Sequence, residues 1–146
     1  MDLFSDEYFM REALKQAKLA FDLGEVPVGA IVVGKNKILG KGYNLTEKLM
    51  DVTAHAEIQA ITAASGAIGG KYLWDCTLYV SLEPCIMCAG ALFWTQISKI
   101  VFGAFDPKAG FQRISPAILH PKTHVIGGIM ENESNLLLKN FFAEKR

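Results

Sequence analysis

Cysteine is scarce in this sequence, with Cys76, Cys85 and Cys88 the only three in 146 residues. An odd, low count excludes a disulfide framework and leaves thiol or metal chemistry. Long apolar runs are missing as well. None approaches the roughly 20 residues a membrane helix needs, and the acidic start MDLFSDEYFM has no signal-peptide core. The expectation is a cytoplasmic chain with no membrane partner. Net charge is zero, so there is no global basic signal for nucleic acid. No repeat, linker or low-complexity segment divides the chain, and residues 1–146 read as one domain around one core.

What charge there is lies unevenly. Residues 1–98 carry 8 Lys/Arg against 11 Asp/Glu, and residues 99–146 carry 7 against 4. The last third is mildly basic, a feature that ordinary surface variation also produces.

Apolar residues make up 51% of the chain and follow recognisable periods. Ser5 is placed to cap a helix carrying Met10, Leu14, Ala17 and Phe21, with Gly24 ending it. VPVGAIVVG and KILGKGYN flank a Gly34-Lys35-Asn36-Lys37 turn and predict a hairpin. A helix is expected from His55 to Ser65, stopping near Gly66, and a buried strand over Cys76–Leu82. Cys85–Trp94 reads as a short helix and Lys99–Phe105 as a strand. An irregular stretch with prolines, a short strand within His124–Ile129 and a C-terminal helix, with Leu136–Leu138, Phe141 and Phe142 apolar and Lys145 and Arg146 in its last turn, complete the order. Strands alternating with helices after an opening hairpin indicate a layered α/β domain with a mixed sheet.

Two short stretches carry chemistry. TAHAEIQA sets His55 and Glu57 among small apolar residues, where ionisable groups are costly unless paired or used. LEPCIMCAGAL supplies Cys85 and Cys88, which share a helix face at i, i+3, with Cys85 in the first turn and Pro84 at an opening position. Alone, this C-x-x-C fits a redox pair, half of a structural zinc site, or two ligands of a catalytic zinc. A closed structural site needs four ligands. Beyond His55 the other candidates are Cys76, which reads as a buried small hydrophobe, and His120 and His124, which lack metal spacing. Counting therefore favours His55, Cys85 and Cys88 around one zinc with a position left for water. Glu57 would face that water as a proton carrier; a first-turn Glu also suits the helix dipole on its own.

His55-Ala56-Glu57 followed by Pro84-Cys85-Ile86-Met87-Cys88 resembles the H-x-E…P-C-x-x-C signature of the zinc-dependent nucleobase deaminases, the cytidine deaminase-like superfamily. Within it, EVPVGAIVV, LYVSLEPCIMCAGAL and KIVFGAFDPKAG look most like the bacterial tRNA-specific adenosine deaminases. The resemblance implies a three-layer α/β/α fold with a five-stranded mixed sheet, one zinc per chain and a homodimer. It implies hydrolytic deamination of adenosine to inosine at the wobble position of a tRNA anticodon loop, with the base flipped out of its strand and Glu57 relaying protons. It also implies a substrate contact from Asn44, an oxyanion-stabilising backbone N–H at Ala56, pocket walls at Val28 and Leu82, and a substrate loop holding Asp106 and Lys108. The chain departs from the family at Phe105, where a basic residue is common, and at Phe111-Gln112-Arg113.

Two other readings stand beside this one: deamination of a free base or nucleoside such as guanine or cytosine, and a non-catalytic zinc-stabilised binding module. For an RNA substrate, Lys108, Arg113, Lys122, Lys145 and Arg146, interleaved with Phe105, Phe111, Phe141 and Phe142, are the expected rim. Met87, Leu92, Phe93 and Trp94 are the expected dimer surface.

Overall fold

A computed structural model describes residues 2–145. Its elements are α1 (Asp6–Asp22), β1 (Gly29–Gly34), β2 (Lys37–Tyr43), α2 (Ala56–Ile68), β3 (Cys76–Leu82), α3 (Ile86–Thr95), β4 (Lys99–Ala104), α4 (Phe111–Ile114), β5 (His124–Ile126) and α5 (Glu131–Glu144). The sheet order is β2-β1-β3-β4-β5. β1 runs antiparallel to β2 and β3, and β3, β4 and β5 are parallel. The expected five-stranded mixed sheet is present.

The alternation of side chains along the strands sorts the core into two layers. Ala30, Val32, Leu78, Val80, Ile100 and Phe102 face α2 and α3. Their neighbours Ile31, Val33, Tyr79 and Val101 face the other way, onto Phe9, Met10 and Ala13 of α1. The fold is therefore a three-layer α/β/α sandwich. Cys76 is buried in the first layer, as its apolar surroundings in the sequence suggest. No helix among the described residues is long and apolar enough to cross a membrane.

Ser5 caps α1, its Oγ accepting from the Tyr8 N–H at 3.1 Å. Lys35 and Asn36 both take positive φ between β1 and β2, the backbone a two-residue hairpin turn requires. α2 carries a stripe of Ala56, Ala60 and Ala64, set directly on Gly40 and Gly42 of β2. A Cβ at Gly42 would meet the Ala56 carbonyl and the Ala60 N–H, so only glycine admits the helix this close. That seat fixes the start of α2, where His55 and Glu57 stand.

Three expectations are corrected. α2 does not stop near Gly66, which points into open space within the helix; it runs to Ile68, and Gly69 supplies the left-handed cap at φ +70°. Phe111–Ile114 forms a helical turn inside the stretch read as irregular: Phe111 is buried and anchors the turn, while Gln112, Arg113 and Ile114 are exposed. In the C-terminal helix only Ser134 and Phe141 are buried, and Lys145 is its cap; Arg146, assigned to its last turn, lies outside the described residues.

Candidate metal centre and cleft

Two helix N-termini meet beyond the C-terminal end of β3, the end where open α/β sheets bind ligands. His55 is the N-cap of α2 and Cys85 the N-cap of α3. Cys85 thus stands just before the first turn and Pro84 before the cap, one step earlier than the spacing suggests. Neither side chain makes a capping hydrogen bond to its helix. Instead Cys85 Sγ lies 3.7 Å and Cys88 Sγ 3.5 Å from His55 Nδ1.

Those separations can be compared with zinc chemistry. Zn–S bonds of about 2.3 Å and Zn–N bonds of about 2.0–2.1 Å at tetrahedral angles put N and S ligands about 3.6 Å apart. The distances found straddle that value. All three ligand atoms lie within 4.8 Å of one another, and among the described residues this is the one His/Cys/Asp/Glu group so arranged. The donor set fits zinc, with three protein ligands, the number that leaves a coordination position open. His120 and His124 take no part: His120 Nδ1 accepts from the Lys122 N–H at 3.2 Å, and His124 sits exposed on β5.

The electrostatics suit a ligand set. A hydrogen bond from the Cys88 thiol, helped by His55 and opposed by burial, holds Cys85 down at about 4. The same bond and burial push Cys88 up; a divalent cation overrides that, since a coordinating thiol is deprotonated outright. His55 is raised, first by its contact with Cys85. Glu57, only 4% exposed, is pushed up to about 7 by burial, against the pull of its own backbone N–H and of His55. A carboxyl poised near neutrality can both take and return a proton.

A cavity of about 300 Å³ opens beside the ligands. Val28, Asn44, Ala56, Glu57, Leu82 and Asp106 all line it. Ala56 is the first residue of α2, so its N–H has no acceptor within the helix. Asn44 is buried; its Nδ2 donates to the Val26 carbonyl at 3.3 Å and its Oδ1 accepts from the Thr46 N–H at 3.1 Å. One amide proton and one lone pair stay free. Lys108 is not in the cavity wall: its side chain is exposed and its N–H donates to Asp106 Oδ1 at 3.0 Å.

The expected basic and aromatic rim is brought together only in part. Lys108, on the loop after β4, and Arg113, in α4, are tied by an Arg113 Nη1 bond to the Lys108 carbonyl at 3.2 Å. Phe111 and Phe141 are core residues, while Phe105 and Phe142 are exposed. Lys122 lines a separate hollow with Trp74 and Ser98, at the opposite end of β3 and β4. Lys145 lies over the Phe141 ring.

Two buried carboxylates at the cleft belong to no motif in the sequence. Glu25 is 1% exposed, and its oxygens accept from the Glu47 and Lys48 N–H groups at 3.1 and 2.7 Å. Glu83 is 5% exposed and accepts from Asp106 and Gln112. Each ties one loop of the cleft mouth to the scaffold. The available signal was a Glu next to a strand end in an otherwise apolar stretch, EVPVG and SLEPC.

Comparison with known proteins places this architecture. Residues 4–104 match the model of the cytidine and deoxycytidylate deaminase zinc-binding region. The chain belongs to that family. It is 42% identical to the tRNA-specific adenosine deaminase of Bacillus subtilis over 97% of this chain and 91% of that one. A solved structure from work on A-to-I editing by tRNA wobble-position deaminases superposes with a TM-score of 0.84 at 39% identity, covering 90% of this chain and 99% of that chain. The guanine deaminase of Bacillus subtilis is 37% identical with a TM-score of 0.65, over 68% of this chain and 64% of its own. The family is a zinc-binding one, and His55, Cys85 and Cys88 are the residues of this chain placed to hold a single ion.

Proposed function

We propose that this chain hydrolytically deaminates adenosine to inosine at the wobble position of a tRNA anticodon, releasing ammonia, with residues 1–146 working as one deaminase domain. The observation that carries this is 42% identity over 97% of the chain to a tRNA-specific adenosine deaminase, against 37% identity over only 68% of the chain to the guanine deaminase of Bacillus subtilis.

His55, Cys85 and Cys88 hold the zinc, which when bound supplies an activated water for the hydrolysis. Val28 and Leu82 wall the slot that takes the flipped base. Asn44 offers its free amide proton and lone pair to the purine edge, fixing which carbon faces the metal centre. Glu57 would carry one proton from the attacking water to the ring nitrogen, and then the second, from the hydroxyl formed on the base carbon, to the amine that departs as ammonia. The Ala56 N–H, unpaired at the helix start, donates to the oxygen on which charge develops. Asp106 shapes the mouth and Lys108 stands outside it, where an RNA phosphate would pass.

The active form is a homodimer in the cytoplasm, where the tRNA pool is. What supports a dimer is exposed apolar surface near α3 and the loop before α2: Trp94 is 75% exposed and Met50 92%, with Val52 and Ile86 also exposed. Leu92, expected at this surface, is core.

The reading is tested by incubating the protein with an anticodon stem-loop and sequencing the product. Conversion confined to the wobble adenosine is expected. Guanine deamination with an untouched stem-loop would favour the second reading, for which the partial likeness to guanine deaminase speaks.

A further inference from the structure

Glu83 stands between a cleft-lining residue, Leu82, and a metal ligand, Cys85, with only Pro84 intervening. A carboxylate so buried is costly unless both oxygens are satisfied. They are, and by the two ends of one loop. Oε1 accepts from the Asp106 N–H at 3.0 Å and Oε2 from the Gln112 N–H at 3.1 Å. The Glu83 N–H donates to the Ala104 carbonyl at 2.8 Å, extending the contact between β3 and β4 past the strand ends.

The rest of the segment grips the same loop. The Phe111 N–H donates to the Pro84 carbonyl at 2.9 Å, and Gly110 forms a β-bridge with Cys85. Gly110 lies so close that a Cβ there would strike the Glu83 carboxylate. Asp106, held at its N–H, uses its own Oδ1 to order the Lys108 and Ala109 N–H groups at 3.0 Å each. A segment that ends in a metal ligand therefore also holds the wall of the cleft that contains Asp106 and Ala109.

We propose that Glu83 is a positioning residue for substrate: its carboxylate staples loop 105–112 from inside, so the RNA meets an already ordered wall at a fixed distance from the metal centre. The inference rests on the RNA reading above. A loop ordered beforehand spares the entropy otherwise lost on binding. The wall touches substrate away from the reacting carbon, so its loss removes binding common to ground and transition states. Such a loss raises KM and leaves kcat.

The test uses Glu83→Gln, which keeps one acceptor and sets an NH₂ against a backbone N–H, and Glu83→Ala, which removes both acceptors and leaves the loop's own residues unchanged. In both, amide hydrogen exchange at Asp106 and Gln112 should accelerate while exchange in β3 stays slow. KM for an anticodon stem-loop should rise about tenfold, with kcat within about twofold of wild type. Zinc content should be unchanged. Unaltered exchange at both amides, unaltered KM, or a fall in kcat alone would overturn the proposal. A wild-type protein that ignores the stem-loop overturns the RNA reading and the substrate role with it, whereas unaltered exchange in variants of an RNA-active protein overturns the staple alone.

Discussion

His55 and Cys85 occupy the same station on two different helices: each is an N-cap, and the Cys85 Sγ comes within 3.7 Å of the His55 Nδ1. Two positive helix ends thus converge on one point. That convergence favours thiolate at Cys85, presents an unpaired N–H at Ala56, and leaves Cys88 one turn into α3 as the third ligand. The sheet produces it by seating α2 on glycines of β2 while β3 feeds directly into α3.

Zinc should follow these ligands. Elemental analysis of purified Cys85→Ser and Cys88→Ser should show loss of the ion, and Cys76→Ser, altered only in the core, should keep about one per chain, as a site of three protein ligands requires. Full zinc in either of the first two, or its loss in the third alone, would contradict the assignment.

Much of this was legible beforehand, and the rest was hidden for definite reasons. Cys76–Leu82 is found as read because a run bounded by polar turns and buried on both faces can hardly be anything else. The metal trio comes together as expected because two cysteines at helical spacing and one histidine among apolar residues stand out in a chain with only three of each. Glu25 and Glu83 do not stand out in the sequence because a lone glutamate beside a turn has the composition of surface; only the folded chain brings backbone N–H groups to both its oxygens. Gly66 misled because a glycine that packs against nothing still looks like a stop. The spread of basic residues misled too, since Lys122 and Arg113 are near in sequence and lie at opposite ends of β4.

Because α2 is seated on Gly42, Gly42→Val should lift the helix and disturb the site from a distance. We expect destabilisation of about 1–3 kcal/mol from overpacking, read as a lower Tm. Zinc affinity should weaken alongside. A Gly42→Val protein with wild-type Tm and zinc affinity would show that the close seat is not what fixes His55.

Phosphate contact at the cleft mouth should appear as salt dependence. Affinity for a stem-loop should fall as salt rises, and Arg113→Ala should reduce the log–log slope by about 0.7, the value of one single-strand contact. Lys122→Ala, at the far end of the sheet, should leave the slope alone. Equal effects from the two variants would refute this placement of the RNA.

Trp94→Glu should convert a dimer to monomer by sedimentation at micromolar concentration, because a charge buried in an apolar interface has no partner there. A wild-type protein that is already monomeric and fully active would remove the proposed interface.

The most direct test of the central claim is a side-by-side assay of ammonia release from an anticodon stem-loop, free adenine, guanine and cytosine, and their nucleosides, run with wild type and Glu57→Ala. The account predicts turnover of the stem-loop adenosine, with inosine at the wobble position, by wild type. It predicts retained zinc and a rate lowered by about 10²–10⁴-fold in Glu57→Ala, the usual contribution of a general acid–base group. Turnover of a free base with none of the stem-loop, or a near-normal rate in the zinc-loaded variant, would contradict it.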